Sequence, residues 1–353
     1  MSGTATPARP WFGGRGTGYA NAAVPRRADP ASLQALGGET MGTRWSLRFD
    51  NPRMLATAQV RAAVEGALDR VIAQMSHWEA DSDISRFNRA AAGSRLRLPA
   101  EFASVLGCAL HWADASGGAI DPTVAPLVAC WGFGPEGQGS APAPQALTDA
   151  RARVGWHRLA FDRADGSALQ PGALALDLSG IAKGFAVDHG VEALRALGLG
   201  DLLFEVGGEL RGSGRRPDGQ PWQVQVDTGS TDLLRIPLLD KAVATSGDRW
   251  HVREQDGRRW SHTIDPRSGE PVDAALAGVT VLHAQCMQAD ALATVLTVLG
   301  PIDGPAFADG QGIAALFTLR RGGALVLQPS AAWPDAGASA NPAMGAKPEK
   351  APA

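Results

Sequence analysis

An aspartate and a threonine stand four residues apart in the segment QADALATVLTVLG (288–300). Apolar residues at helical spacing predict a helix over 289–299, on which Asp290 and Thr294 share one face. A carboxylate and a hydroxyl placed in this way offer two oxygen ligands to a hard cation such as Mg²⁺. An aspartate near a helix start is also typical of a helix cap, and the spacing alone leaves both interpretations open.

A second polar group occurs in DLSGIAKGFAVD (177–188). The apolar run 173–176 before it predicts a strand, and residues 184–194 predict a helix. A strand-turn-helix junction exposes backbone N–H groups at the positive helix end, which suits anions. An ordinary turn, with Asp177 or Ser179 as the helix cap and Lys183 in solvent, explains the same residues.

Two further segments contain side chains that could take part in chemistry. His262 in SHTIDPRSGEPV (261–272) is a possible proton acceptor near neutral pH, although a lone histidine is also compatible with a structural role. Trp78 in MSHWEADSDISRFNRA (75–90) offers a flat ring that either stacks on a ligand or packs in the core. Each of these signals is weak when it is taken alone.

Several common site motifs are absent from the sequence. It contains no GxxxxGK[ST] segment and no GxGxxG segment after a strand, which argues against a P-loop and a Rossmann dinucleotide site. It also has no GxSxG elbow and no HExxH helix, so neither a serine hydrolase of that type nor a zincin is indicated.

Composition narrows the function classes further. The 353 residues include 33 Lys and Arg against 36 Asp and Glu, a formal net charge of -3, so the basic footprint of a nucleic-acid-binding protein is missing. The hydrophobic content of 44% supports a sizeable core, and no apolar window reaches the length of a membrane span. Three cysteines without CxxC spacing argue against a disulfide framework and a cysteine-rich zinc site.

The order of the elements predicts an α+β fold with one domain over residues 35–330. We expect a disordered leader over 1–34, a disordered tail over 331–353 and a surface loop over 135–144. No signal peptide is evident, so a cytoplasmic location is expected, with a periplasmic or inner-membrane-associated location as the alternative if the start codon is assigned wrongly. Further helices are predicted over 56–77 and 99–115, and strands over 39–50, 202–206, 222–226, 243–245, 260–264, 279–282 and 313–317.

Eight motifs follow one another along the chain in the order found in the ApbE family, which this sequence resembles over roughly residues 39–328. They are MGTRWS, MSHWEADSDISRFN, AIDPTVAPLVACWGFG, ALDLSGIAKGFAVD, LFEVGGELRGSG, VATSGD, SHTIDPRSGEPV and QADALAT. The resemblance implies a single domain related to the T-fold that binds FAD and Mg²⁺. It also implies transfer of the FMN part of FAD to a threonine or serine hydroxyl of an acceptor flavoprotein, with release of AMP.

The resemblance assigns expected roles residue by residue. Asp290, Thr294 and the backbone carbonyl of Gly180 would bind Mg²⁺, while His262 would accept the proton of the incoming hydroxyl and Lys183 would offset charge at the phosphates. Contacts with FAD are expected from Met41, Trp78, Ala119, Ile120, Asp121, Asp177, Lys183 and Ile264.

The sequence departs from the family pattern in two places, and two other functions stay open. Many relatives have Tyr where this chain has Trp78, and an aromatic residue where it has Arg249-Trp250 after VATSGD. An FAD pyrophosphatase would use the same metal site with water as the acceptor. A non-catalytic FAD-binding protein would be favoured by loss of the metal ligands, which are present here.

Overall fold

A computed structural model of the protein describes residues 32–135, 141–226, 228, 234–248, 252–255, 258–272 and 274–334. The centre of the predicted loop over 135–144 and the Arg249-Trp250 pair lie outside the described residues. The folded part extends slightly beyond the predicted domain limits, because Leu33 pairs with Asp50 in a hairpin and Trp333 packs against a hydrophobic cluster.

The strands of the described residues form one large sheet and three small ones. Their bounds are Leu33–Thr40 (β1), Thr43–Asp50 (β2), Arg95–Arg97 (β3), Ala160–Asp162 (β4), Ser167–Leu169 (β5), Leu202–Val206 (β6), Glu209–Ser213 (β7), Trp222–Val226 (β8), Leu234–Leu238 (β9), Lys241–Gly247 (β10), Val252–Gln255 (β11), Arg258–Ser261 (β12), Leu276–His283 (β13), Ala314–Arg321 (β14) and Ala324–Pro329 (β15).

The helices agree closely with the predicted periodic segments. They are Thr57–Met75 (α1), Asp83–Arg89 (α2), Ala100–Ala115 (α3), Ala125–Cys130 (α4), Pro144–Arg151 (α5), Ala182–Ala196 (α6) and Cys286–Gln311 (α7). The helices predicted over 56–77 and 99–115 correspond to α1 and α3, and the one over 184–194 lies within α6.

The large sheet has the strand order β1-β2-β6-β7-β10-β13-β14-β15, and every neighbouring pair is antiparallel. Helices α6 and α7 pack on it and against each other, and α1 packs on α6. The β8-β9 hairpin packs on the large sheet through a separate cluster that includes Val224, Val243 and Leu282. An antiparallel sheet with helices packed on it confirms the predicted α+β class.

The strand predicted over 39–50 is a hairpin, which corrects that interpretation. Strand β1 ends at Thr40 and β2 begins at Thr43, and the two residues between them, Met41 and Gly42, have φ values of 48° and 68°. Two central residues with positive φ are the requirement of a type I′ hairpin turn. The sequence signal was hidden because methionine replaces the Asn or Asp usual before glycine in such turns.

The run 173–176 is not a strand, and the prediction of one was wrong. Leu176 pairs with the side chain of Asn88 in α2: its N–H donates to Oδ1 at 2.7 Å, and its carbonyl accepts from Nδ2 at 3.0 Å. One side-chain amide therefore satisfies the backbone groups that a neighbouring strand would bind. The apolar character of the run reflects burial in the core, not membership of a sheet.

Helix α7 is the core helix of the molecule. By length and composition it could cross a membrane, but half of its most apolar stretch is buried inside the fold, where it packs against β10 and β13. The predicted helix over 289–299 is its first part. A kink follows at Gly300, with φ 78° and ψ -169°, where Pro301 cannot donate a helical hydrogen bond.

The start of α7 contains a pH-sensitive contact that gives a first prediction. The N–H of Gln285 donates to Nδ1 of His283 at 3.0 Å, and burial lowers the pKa of this histidine below its usual 6.5. The unfolded chain therefore binds the proton more readily, and stability is lost as the pH falls through the lowered pKa. We expect this acid-side loss of stability in the wild type because burial disfavours the charged imidazole.

The variant His283→Asn keeps a side-chain acceptor for the N–H of Gln285, but the asparagine side chain does not titrate. Urea denaturation at a series of pH values should give a shallower acid decline for His283→Asn than for the wild type. Parallel declines in the two proteins would contradict the prediction.

Candidate active site

Two cavities adjoin where the helices meet the sheet. The smaller has a volume of about 580 Å³ and the larger about 860 Å³. Ser179, Lys183 and His262 line both of them. A ligand atom beside these three side chains can therefore be reached from either cavity.

Most of the residues singled out in the sequence meet at the smaller cavity. Its wall includes Trp78, Ala119, Ile120, Asp121, Asp177, Gly180, Lys183, His262, Ile264 and Thr294. Asp290 lines the larger cavity. Met41 lines neither of the two: it sits in the β1-β2 turn with its side chain against the core, while its neighbour Gly42 lines the larger cavity.

Trp78 stands at the rim of the smaller cavity, just after α1. Its side chain is 66% exposed, which is unusual for an indole and leaves a face for a planar ligand. The ring centroids of Trp78 and the neighbouring His77 are 5.8 Å apart. Nδ1 of His77 lies 3.6 Å from Oδ1 of Asp177. The rim thus joins an aromatic face to the turn at the start of α6.

The family resemblance implies that Trp78 contacts FAD, so we expect Trp78→Ala to weaken FAD binding roughly tenfold, since stacking of a base on an aromatic ring contributes about 1–3 kcal/mol. The free energy of unfolding should stay within about 0.5 kcal/mol, because the side chain is exposed. A fluorescence titration with FAD measures the first effect and urea denaturation the second. Trp78→Tyr, which keeps a stacking ring, is the control and should bind nearly as the wild type does. Equal FAD affinity in Trp78→Ala would refute the stacking role.

Asp121 organises the loop that forms one wall of the smaller cavity. Its Oδ1 accepts from the N–H and the hydroxyl of Thr123, both at 2.7 Å, and its Oδ2 accepts from the N–H of Trp156 at 3.1 Å. Burial raises the pKa of the carboxyl, and these hydrogen bonds oppose that rise. The carboxylate is thus engaged inside the protein, next to Ala119 and Ile120 in the cavity wall.

The turn before α6 exposes the start of this helix to the cavities. Asp177 Oδ1 accepts the N–H of Ser179 at 2.8 Å and closes the turn, so Asp177 does not cap the helix. Helix α6 has no side-chain cap from its own N-cap residue, Ile181. The N–H of Gly184, in the first turn of α6, donates instead to Oδ2 of Asp290 in α7, at 2.8 Å. The two interpretations of Asp290 are therefore compatible: it caps a helix, although not its own.

The oxygen atoms around this turn fit a hard cation. Thr294 Oγ1 lies 3.4 Å from the carbonyl oxygen of Gly180 and 3.3 Å from Oγ of Ser246. Neighbouring ligands of an octahedral Mg²⁺, each about 2.1 Å from the ion, lie roughly 3 Å apart. Asp290 has a second oxygen, Oδ1, for a further partner. The described residues contain no cluster of three or more His, Cys, Asp or Glu side chains that could hold a metal ion.

Gly184 is required by the close approach of α6 and α7. A Cβ at this position would lie 2.4 Å from the carbonyl oxygen of Cys286 and 2.7 Å from Cβ of Asp290. We expect Gly184→Ala to destabilise the fold by about 1–3 kcal/mol despite the better helix propensity of alanine. Gly66→Ala in α1 is the matched control, since a Cβ there meets nothing within 4 Å.

Urea denaturation of the Gly184→Ala and Gly66→Ala variants measures the difference. The control should gain up to about 1 kcal/mol, as an exposed helical glycine does when replaced by alanine. A stabilised Gly184→Ala would show that the helices separate without cost.

Lys183 is held by an acidic partner at the junction of the cavities. Its Nζ lies 2.5 Å from Oε1 of Glu209, a buried residue that is only 3% exposed. Burial raises the pKa of the Glu209 carboxyl, and the neighbouring Lys183 ammonium opposes that rise. For Lys183 burial lowers the pKa, but the Glu209 and Asp290 carboxylates outweigh it and the net direction is up. The ammonium therefore keeps its charge where an anion would bind.

His262 follows β12 at the entrance to a tight loop. The N–H of Thr263 donates to Oγ of Ser261 at 3.1 Å, and Ile264 forms a β-bridge with Pro271 that closes the loop. The ring of Phe133 meets the imidazole edge-on, with centroids 6.3 Å apart. The strand predicted over 260–264 thus ends at Ser261, and Ile264 forms a separate bridge with Pro271 instead of extending the pairing with β11.

The comparison with known proteins agrees with this geometry. Residues 41–317 match the ApbE family. The chain belongs to that family. A relative from Haemophilus influenzae, named FAD:protein FMN transferase, is 35% identical over 311 residues, which cover 85% of this chain and 90% of the relative. A relative of the same name from Vibrio cholerae is 36% identical over 299 residues and covers 82% and 89% of the two chains.

Solved ApbE structures share the fold. The apo form of the Pseudomonas stutzeri flavinyl transferase ApbE superposes with a TM-score of 0.80 at 37% identity, covering 85% of this chain and 95% of that one. The single α+β domain predicted from the motifs is therefore the ApbE fold.

Three residues of this ApbE site were missed by reasoning from the sequence. Glu209 lies in the LFEVGGELRGSG motif but was assigned no role, although an acid directly after two glycines at the start of a strand was a usable signal. His77 adjoins Trp78 and could have been weighed with it. Ser246 has no distinguishing signal, because its role depends on β10 lying beside α7.

Proposed function

We propose that this chain is an FAD:protein FMN transferase that needs Mg²⁺, acts on a threonine or serine hydroxyl of an acceptor flavoprotein and releases AMP. The observation that supports the proposal is that Lys183 and His262 line both cavities, with Gly180 and Thr294 in the wall of the smaller one and Asp290 in the wall of the larger one. A transfer between two substrates needs such a junction, with one compartment for the donor and one for the acceptor.

Gly180, Asp290 and Thr294 would hold the metal ion through a carbonyl, a carboxylate and a hydroxyl oxygen. When bound, Mg²⁺ supplies Lewis-acid polarisation of the pyrophosphate. The protein itself contributes fixed positions and charge, which phosphoryl transfer needs more than covalent help. The Lys183 ammonium would stabilise the negative charge that develops on the phosphates.

In the reaction the acceptor hydroxyl oxygen attacks the phosphorus of the FMN part, and the bond from that phosphorus to the bridging oxygen breaks. AMP leaves with the bridging oxygen and both electrons of the broken bond. The hydroxyl proton passes to an imidazole nitrogen of His262 as the new phosphoester forms. The exposed ring of Trp78 and the buried wall at Ala119 and Ile120 would hold FAD in the smaller cavity.

Mass spectrometry of the reaction products tests the proposal. The purified chain is incubated with FAD, Mg²⁺ and the apo form of a flavoprotein that carries threonine-linked FMN. An adduct of FMN mass on the acceptor, with one AMP per adduct, is the expected result. Free FMN and AMP without an adduct would identify a pyrophosphatase, and intact bound FAD would identify a binding protein.

A further inference from the structure

The larger cavity has no assigned occupant. The side chains expected to contact FAD line the smaller cavity, with the exception of Met41, and among them Lys183 lines the larger cavity as well. The larger cavity reaches the same junction at Ser179, Lys183 and His262 and then runs along the sheet towards β8. Its volume of about 860 Å³ exceeds that of the smaller one, at about 580 Å³.

Phosphoryl transfer places the attacking and leaving oxygens roughly in line on opposite sides of the phosphorus. If AMP leaves within the smaller cavity, the acceptor hydroxyl must arrive from the other side of the junction. The larger cavity is the compartment on that side. This step rests on the proposed function, because it requires a second substrate.

Strand β8 presents its edge to this cavity. Gln223, Val224, Gln225 and Val226 all line it, although alternate side chains of a strand point to opposite faces. Consecutive residues of one strand meet the same space when the strand faces it edge-on. Within the described residues β8 pairs with β9 alone, so its second edge has no neighbouring strand there.

The register of the hairpin shows which groups point to that edge. Gln223 lies opposite Pro237, and Gln225 lies opposite Arg235. Proline has no N–H to donate, so Gln223 and Pro237 form a non-hydrogen-bonded pair. Because hydrogen-bonded and non-hydrogen-bonded pairs alternate along an antiparallel ladder, Gln225 and Arg235 also form a non-hydrogen-bonded pair. The backbone N–H and C=O groups of Gln223 and Gln225 therefore point away from β9, towards the cavity.

The edge is held firmly in place. Val224 and Val226 are buried in the cluster that joins the hairpin to the large sheet at Val243 and Leu282. A strand fixed by its buried face, with donors and acceptors directed into a cavity, is suited to bind an extended chain by strand addition, in which main-chain hydrogen bonds supply the affinity.

We propose that the acceptor flavoprotein docks in the larger cavity as an extended segment that adds to the edge of β8 and places its threonine or serine hydroxyl between Lys183 and His262. The partner is recognised here through its backbone. Recognition of this kind leaves the identity of most acceptor side chains open and fixes the position of the hydroxyl along the strand.

Proline substitution separates the two edges of the hairpin. Gln225→Pro removes an N–H from the cavity edge without removing a hydrogen bond to β9. Arg235→Pro makes the same change on the opposite edge of the hairpin. Arg235 stands in a non-hydrogen-bonded pair, as Pro237 already does. Proline is tolerated where a strand N–H has no partner in the sheet.

The experiment measures steady-state flavinylation of the apo form of a flavoprotein that carries threonine-linked FMN, at saturating FAD and Mg²⁺. We expect Gln225→Pro to raise the KM for the acceptor roughly tenfold or more, as loss of a main-chain hydrogen bond and added bulk would do. Arg235→Pro should keep the wild-type KM, and both variants should keep the wild-type FAD affinity. An unchanged acceptor KM in Gln225→Pro would overturn the proposal.

Hydrogen exchange on the wild-type chain gives a second test that needs no variant. The amides of Gln223 and Gln225 should exchange at least tenfold more slowly in the presence of saturating acceptor, while the amide of Arg235 keeps its rate. Unchanged exchange at Gln223 and Gln225 would overturn docking on this edge. Failure of the proposed function would be seen differently, as no adduct with the wild type under any condition.

Discussion

Asp290→Asn is expected to reduce FMN transfer by about 10³-fold or more while leaving the fold nearly as stable as that of the wild type. The carboxylate would hold the cation that neutralises the pyrophosphate, an effect that is worth several kcal/mol in the transition state. The amide of asparagine lacks the charge but retains an oxygen that accepts the N–H of Gly184, which now bonds Oδ2 of Asp290 at 2.8 Å.

Asp290→Ala separates the two roles of this residue. It removes both the metal ligand and the acceptor for Gly184, so it should lose the same activity and in addition about 1–2 kcal/mol of stability, the cost of an unsatisfied helix N–H. Initial rates of adduct formation, calorimetric Mg²⁺ titration and urea denaturation measure the three effects. If Asp290→Asn kept the wild-type Mg²⁺ affinity, the metal assignment would be wrong.

His262→Ala is expected to slow transfer by about 10²–10⁴-fold, the usual contribution of a positioned general base, with FAD binding unchanged. The imidazole lines both cavities, so it stands where a hydroxyl from the larger one would meet a phosphate from the smaller one. A base acts in its neutral form. The decline of kcat/KM on the acid side of the wild-type pH profile should therefore be absent in the variant.

His111→Ala is the matched control for this substitution. His111 lies on the exposed side of α3, with its ring against Trp112 at 4.9 Å between centroids, and should leave the rate of transfer unchanged. The comparison is a pH series of transfer rates for the wild type and the two variants. A rate for His262→Ala within a factor of three of the wild type would remove this histidine from the reaction.

The candidate site shows why some residues were found from the sequence and others were not. Asp290 and Thr294 were found because helical periodicity places residues four apart on one face. Glu209 was not, since its partner Lys183 is 26 positions away and the pair exists only because β7 packs against α6. The strand predicted over 173–176 failed for the same reason: its backbone partner, the side chain of Asn88, is 88 positions distant.

The sequence by itself determined the α+β class, the main helices and, through eight ordered motifs, the family. These properties depend on local periodicity and on residue order, which a single chain displays directly. Only the tertiary structure decided that Asp290 caps α6, that two cavities share Lys183 and His262, and that β8 turns an open edge towards the larger one. Each of these arises from contact between elements distant in the chain, and such contacts depend on packing that local patterns do not encode.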